Sequence, residues 1–140
     1  MKVLVDTCIW SEAFRRSGAR DLSENSIHLL ELIREGRVLM LGAVRQEILS
    51  GIRDEAQFLR LRDYLRAFPD FPLLTGDYEV AAEFFNKCRS AGVQGSNTDF
   101  LICAAAYRAR ATIFTTDQDF RLFASHVKVA VYAGVRKAGA

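Results

Sequence analysis

Met1-Lys2-Val3-Leu4-Val5-Asp6-Thr7-Cys8 opens the chain, and its reading decides the fold. Val3-Leu4-Val5 is a short, mostly β-branched apolar run, the pattern of a strand buried on both faces. It stops at an acid, and a helix is expected over 9–16. In an open parallel sheet, ligands sit outside the carboxyl ends of the strands. Asp6 is thus placed where catalysis is expected, although a carboxylate there can also do no more than cap the following helix. The rest of the chain has to decide between the two.

Working outward, a polar break over 17–23 precedes a second helix, 24–35. Its apolar residues Ile27, Leu30 and Ile33 recur at threes, widened by Leu29 and Leu32, and Gly36 ends it. Val38-Leu39-Met40-Leu41 reads as a second buried strand. A third helix, 43–50, turns Val44 and Ile48 inward and leaves Glu47 bordering that stripe, an odd position for a glutamate that only meets solvent. Phe58, Leu61, Leu65 and Phe68 line one face of a fourth helix, 54–68, which Pro69 ends. Two close prolines, Pro69 and Pro72, argue against a central strand over 71–74.

A fifth helix, 77–91, carries Val80, Ala81, Phe84, Phe85 and Cys88 on its core side. Asn97 or Thr98 is expected to cap a sixth, 99–109, whose small apolar run from Phe100 to Ala106 should make it the most buried helix. A third strand over 112–115 stops at Thr116-Asp117-Gln118-Asp119-Phe120. A short helix over 120–124, a last strand over 127–132 and a fraying basic tail complete the chain. Strands alternating with helices predict an α/β fold: a mainly parallel sheet with helices on both faces, in a single domain spanning 1–140. Right-handed crossovers put the strand ends that carry following loops on one rim.

Of the 140 residues, 50% are hydrophobic and 26% charged, as in an ordinary globular protein. No apolar run is long enough for a membrane span, and no secretory leader is visible, so a cytoplasmic location is expected. Cys8, Cys88 and Cys103 are widely spaced, which suggests free thiols instead of a disulfide framework or zinc site. The net charge of +2 does not demonstrate nucleic-acid binding. The cations are mostly arginines, which suit phosphate, but a solvated arginine-rich surface explains them as well.

Four acids have a reason to meet. Asp6 and Asp117 end strands, Glu47 follows the second strand, and Asp99 lies in the first turn of the helix before the third. Crowded carboxylates repel, and a hard divalent cation, Mg²⁺ or Mn²⁺, relieves that. Such a centre would activate water and clamp both oxygens of a phosphodiester during in-line displacement, with no need of a Ser-His dyad. Each acid also has a bland reading. Glu47 can pair with Arg45 or Arg108, Asp99 can reinforce its helix cap, and Asp119 can be a plain turn residue. His28 and His126 have no metal-binding pattern and read as structural.

Taken together, Val-Leu-Val-Asp-Thr at 3–7, Glu47, Asn97-Thr98-Asp99-Phe100-Leu101-Ile102 and Thr115-Thr116-Asp117-Gln118-Asp119-Phe120 resemble the PIN domain, and more narrowly VapC-type toxin ribonucleases. The resemblance covers essentially the whole chain. It implies a three-layer α/β/α sandwich around a sheet of four to five strands. It also implies a Mg²⁺- or Mn²⁺-dependent endoribonuclease with Asp6, Glu47, Asp99 and Asp117 as metal-binding quartet. Thr115 matches an assisting hydroxyl, and Asp119 an acid present in some members. Cys8 departs from the pattern, where these toxins often carry Asn or Ser; Thr7 or Ser11 can supply a hydrogen bond instead. A homodimer and a VapB-type antitoxin are implied as partners beside RNA. The Phe58/Leu61/Leu65/Phe68 stripe offers an antitoxin helix a groove, or is ordinary core; Trp10 meets a partner, or wedges the first helix onto the sheet. The rival readings are a catalytically idle PIN-fold RNA-binding subunit and a Toprim-type nuclease built on Glu47, Asp117 and Asp119.

Overall fold

The central strand of the computed structural model, which describes residues 1–15 and 22–134, is β1 (Val3–Val5). Its three side chains are almost fully buried. It pairs in parallel with β2 (Val38–Leu39) on one side and β3 (Thr112–Phe114) on the other, giving the order β2-β1-β3. Leu4 lies opposite Leu39 and Ile113, and Val5 opposite Phe114. Two-sided pairing and burial explain why this strand is a continuous apolar run and does not alternate.

Single parallel bridges widen the sheet at both edges, Met40 with Asp70 and Ile113 with Val131. The expected last strand over 127–132 is therefore reduced to one bridge. The Val129 amide bonds back to the Val127 carbonyl at 2.9 Å, a tight bend that delays pairing until Ala130 accepts from the Ile113 amide.

Helices flank the sheet: α1 (Thr7–Arg15), α2 (Glu24–Arg34), α3 (Gly42–Ser50), α4 (Glu55–Leu65), α5 (Thr75–Ser90), α6 (Asn97–Ala109) and α7 (Asp119–Ala124). The expected last residue of α1, residues 17–21 of the polar break over 17–23 and residues 135–140 of the tail over 133–140 lie outside the described residues. The α/β class with a parallel sheet thus matches the expectation.

Two local expectations need correction, and an open one is decided. The inner face of α2 is Ser26, Leu29 and Leu32, while Ile27 and Leu30 are 45% and 44% exposed. Ser26 is tolerated on the inner face because its hydroxyl is partnered by the N-cap Ser23 at 2.9 Å, while Leu29 and Leu32 supply the apolar contact with the core. The cap of α6 is Ser96, one residue before the two expected, which leaves Asn97 and Thr98 in the first turn. Trp10 is fully buried and meets the Phe14 and Phe68 rings at 5.9 and 5.2 Å; it is the wedge.

α6 has six buried side chains, Phe100 and Ile102 to Ala106, and lies against α5 with edge-on contacts of Phe85 with Phe100 and Phe84 with Tyr107. Two arginines fasten the periphery. Arg108 holds Asp77 at 2.8 Å and stacks over Phe71. Arg45 holds Asp70 at 2.9 Å and the carbonyls of Leu65 and Phe68 at the end of α4.

Candidate active site

The register of β1 and β3 builds the centre of the site. Val5 is opposite Phe114, so Asp6 and Thr115 leave the sheet side by side at its carboxyl rim. The Asp6 amide still bonds to the Phe114 carbonyl at 2.9 Å. Both residues are buried, Asp6 at 8% exposure and Thr115 at 3%. Thr115 Oγ1 donates to Asp6 Oδ2 at 2.8 Å, and the Thr7 amide donates to Asp6 Oδ1 at 2.8 Å. Cys8 Sγ approaches Asp6 Oδ2 at 3.6 Å.

Burial holds the Asp6 carboxyl above its usual range. The hydrogen bonds from Thr115, the Thr7 amide and Cys8 work against the rise, and the charge of Asp99 adds to it. Asp99 is therefore an electrostatic neighbour of Asp6. It is also half of a capping box: its Oδ2 accepts from the Ser96 amide at 2.9 Å while Ser96 Oγ accepts from the Asp99 amide. The capping reading of this acid is thus met, and the cap fixes its carboxylate at the helix N-terminus.

Thr7 extends the network to α3. Its hydroxyl donates to Glu47 Oε1 at 2.9 Å, and Glu47 is exposed. Arg45 and Arg108 are committed to Asp70 and Asp77, so the salt-bridge reading of Glu47 falls away. On the other flank, Thr115 Oγ1 accepts from the Asp117 amide at 3.0 Å, and Asp117 Oδ1 accepts from the Asp119 amide at 2.9 Å. Asp119 contributes its backbone there, and both acids are exposed.

The acids are thus tied through hydroxyls and amides, not pressed together. Among the described residues no three His, Cys, Asp or Glu side chains stand close enough to share one ion. The donors are nevertheless hard oxygens, and Mg²⁺ typically binds through one or two carboxylates, keeping waters and taking substrate phosphate oxygens. The site fits that open mode of binding and not a closed protein cage.

Sequence reading missed two features. Cys8 is not a gap in the pattern but a point of contact with Thr115 and Thr116. Gly95 lets the loop before α6 pass the buried Phe123 and Phe100 rings, where a β-carbon would come within 2.5 and 3.0 Å. A glycine just ahead of a helix cap was its only sequence signal.

A family model described as PIN domain matches residues 3–125. The chain belongs to the PIN domain family. Solved structures share the fold of this PIN domain. VapBC2 from Rickettsia felis, bound to a DNA fragment from its promoter, aligns with TM-score 0.75 at 18% identity, over 94% of this chain and 98% of that one. FitAcB from Neisseria gonorrhoeae gives 0.74 at 19% identity, over 94% and 97%. A toxin–antitoxin complex from Klebsiella pneumoniae gives 0.66 at 22% identity, over 85% and 90%. None of the curated proteins compared matches significantly. Membership in the family, whose members are generally nucleases, displaces the Toprim-type reading. Among the described residues, no helix is long and apolar enough to cross a membrane.

Proposed function

We propose that this PIN domain is a Mg²⁺- or Mn²⁺-dependent endoribonuclease, the toxin of a VapBC-type pair, acting in the cytoplasm as a homodimer. One observation carries the reading. A buried carboxylate at the end of the central strand, Asp6, is joined by Thr115 to Asp117 and through Thr7 to Glu47, with the charge of Asp99 beside it. A structural cap has no need of a buried acid in such company.

Asp6, Glu47, Asp99 and Asp117 are the residues that would hold the cation, with Asp6 as anchor. When bound, the ion supplies Lewis-acid charge to the phosphodiester and lowers the pKa of water. The chain supplies the rest. Thr115 and the Thr7 amide fix both oxygens of Asp6. Thr7 also orients the exposed Glu47 carboxylate through its Oε1. The Asp119 amide holds Asp117 in place.

An antitoxin segment has a place to lie. A cavity of about 450 Å³ is lined by Phe14, Gln57, Arg60, Leu61 and Tyr64. A second, of about 210 Å³, shares three of these residues and reaches Glu47. Of the Phe58/Leu61/Leu65/Phe68 stripe, Leu61 and Leu65 are core and Phe58 and Phe68 are half-buried, so the accessible wall is formed by Phe14 of α1 and the exposed Tyr64 of α4. The Klebsiella pneumoniae structure named above is a toxin–antitoxin complex, and this reading follows it.

The test is cleavage of single-stranded and structured RNA by the purified protein with Mn²⁺, with Mg²⁺ and with EDTA. Internal cuts that need the metal and disappear in Asp99→Asn support the reading. Tight RNA binding without cleavage under every condition favours the idle subunit.

A further inference from the structure

We propose that Cys8 is a positioning residue of the acid site, its sulfur strapping the exposed Thr116 backbone to buried Asp6. The inference rests on the nuclease reading and adds a residue to it. Cys8 lies half-buried in the first turn of α1. The Thr116 amide donates to its sulfur at 3.5 Å and the Thr116 hydroxyl at 3.4 Å. The thiol lies 3.6 Å from Asp6 Oδ2 and 3.5 Å from Thr115 Oγ1.

The arrangement suits one thiol. Sulfur accepts from the two Thr116 donors, and its single proton points at the Asp6 carboxylate. Each bond is weak, but they converge on one atom and join segments 108 residues apart. Thr116 sits between Thr115, which binds Asp6, and Asp117, whose amide Thr115 holds. The loop that carries Asp117 therefore has two straps, a hydroxyl on the Asp117 amide and a thiol on the Thr116 amide. Remove the second and the loop is fastened to the site by the Thr115 hydroxyl, beside its internal bond from the Asp119 amide to Asp117, so an exposed acid loses part of its fixed direction toward Asp6.

The test compares wild type with Cys8→Ala and Cys8→Asn. An asparagine reaches one bond further, so its amide oxygen meets the Thr116 amide at the oxygen distance of about 2.9 Å. Hydrogen exchange of the Thr116 amide is followed in the metal-free protein, and RNA cleavage is measured with Mn²⁺. The alanine variant is expected to exchange at Thr116 about fivefold faster or more. Its kcat should fall by about tenfold or more at nearly unchanged KM. The asparagine variant should recover most of both. Cys8→Val, which keeps bulk without the hydrogen bonds, replaces the alanine variant if that change unsettles α1. Unchanged Thr116 exchange and kcat in the alanine or valine variant overturns the proposal, as does an asparagine variant no better than alanine. If wild type cleaves no RNA, the nuclease reading fails, and the Thr116 exchange alone decides whether the strap exists.

Discussion

Thr7 Oγ1 donates a 2.9 Å hydrogen bond to Glu47 Oε1, joining the first residue of α1 to the middle of α3. The amide of the same residue holds Asp6 Oδ1 at 2.8 Å. One threonine thus orients two acids that lie in different parts of the sequence. Thr7→Val keeps the shape and removes the hydroxyl. Cleavage should fall by about tenfold or more, because Glu47 loses its direction and not its charge. Thermal stability should change little, since the pair is exposed. Steady-state kinetics with Mn²⁺ and a melting curve check both; full activity in Thr7→Val would remove this link from the mechanism.

Asp6 sets the balance between stability and function. Its folded pKa lies above its unfolded one, because burial penalises the charge. Above the folded pKa the ionised group therefore weakens the fold, and that cost fades as pH falls through the folded value toward the unfolded one. Asp6→Asn should raise the melting temperature of the metal-free protein at pH 7 and remove this part of its pH dependence. Mn²⁺ should stabilise wild type by mass action and leave the variant unmoved. Thermal shift with and without Mn²⁺ reads both effects.

Asp77 titrates in the opposite sense. Hydrogen bonds from the Arg108 guanidinium hold its carboxyl below the usual range despite burial. Its contribution is complete above the unfolded value, about 3.9, and is lost as pH falls through the lowered folded one. Asp77→Asn should lower the melting temperature at pH 7 by on the order of 5 °C and flatten the acid limb of the stability curve. Cleavage per folded molecule should be unchanged, because the pair fastens α6 to α5 away from the acids. Melting curves between pH 2 and 7 provide the check.

The central strand and the order of helices were legible because β1 is apolar on both faces and stops at an acid. That Asp6 follows β1 and Asp117 follows β3 on one rim was legible from topology, since parallel strands share one rim. What the sequence did not disclose is how they are held. The hydroxyls of Thr7 and Thr115 and the thiol of Cys8 act across 40 to 109 residues, and such partners follow from register, not from local pattern. The phase of α2 was misread for a related reason. Ile27 and Leu30 fit a helical stripe as well as Leu29 and Leu32 do, and packing against the core, not local pattern, selects the Leu29–Leu32 face. Strand 127–132 shrank to a bridge because a backbone bond from Val129 to Val127 bends it, which β-propensity does not register.

Gly95 couples the core to the site. A methyl group there would strike the Phe123 ring at 2.5 Å, and that ring is fully buried with no room to yield. Gly95→Ala should cost about 1–3 kcal/mol of stability. By shifting Ser96 it should also disturb the Asp99 capping box and lower cleavage beyond the loss of folded protein. Denaturant unfolding and cleavage corrected for the folded fraction separate the two effects; a variant as stable as wild type would show that the loop relaxes freely.

Asp6 is the proposed anchor of a metal-dependent nuclease. Its most direct test is single-turnover cleavage of end-labelled RNA by wild type and Asp6→Asn, side by side, with Mn²⁺ and with EDTA. Internal cuts by wild type in Mn²⁺ alone, and none by a folded Asp6→Asn, are the predicted result. Equal cleavage by the two proteins, or cleavage by wild type that persists in EDTA, would contradict it.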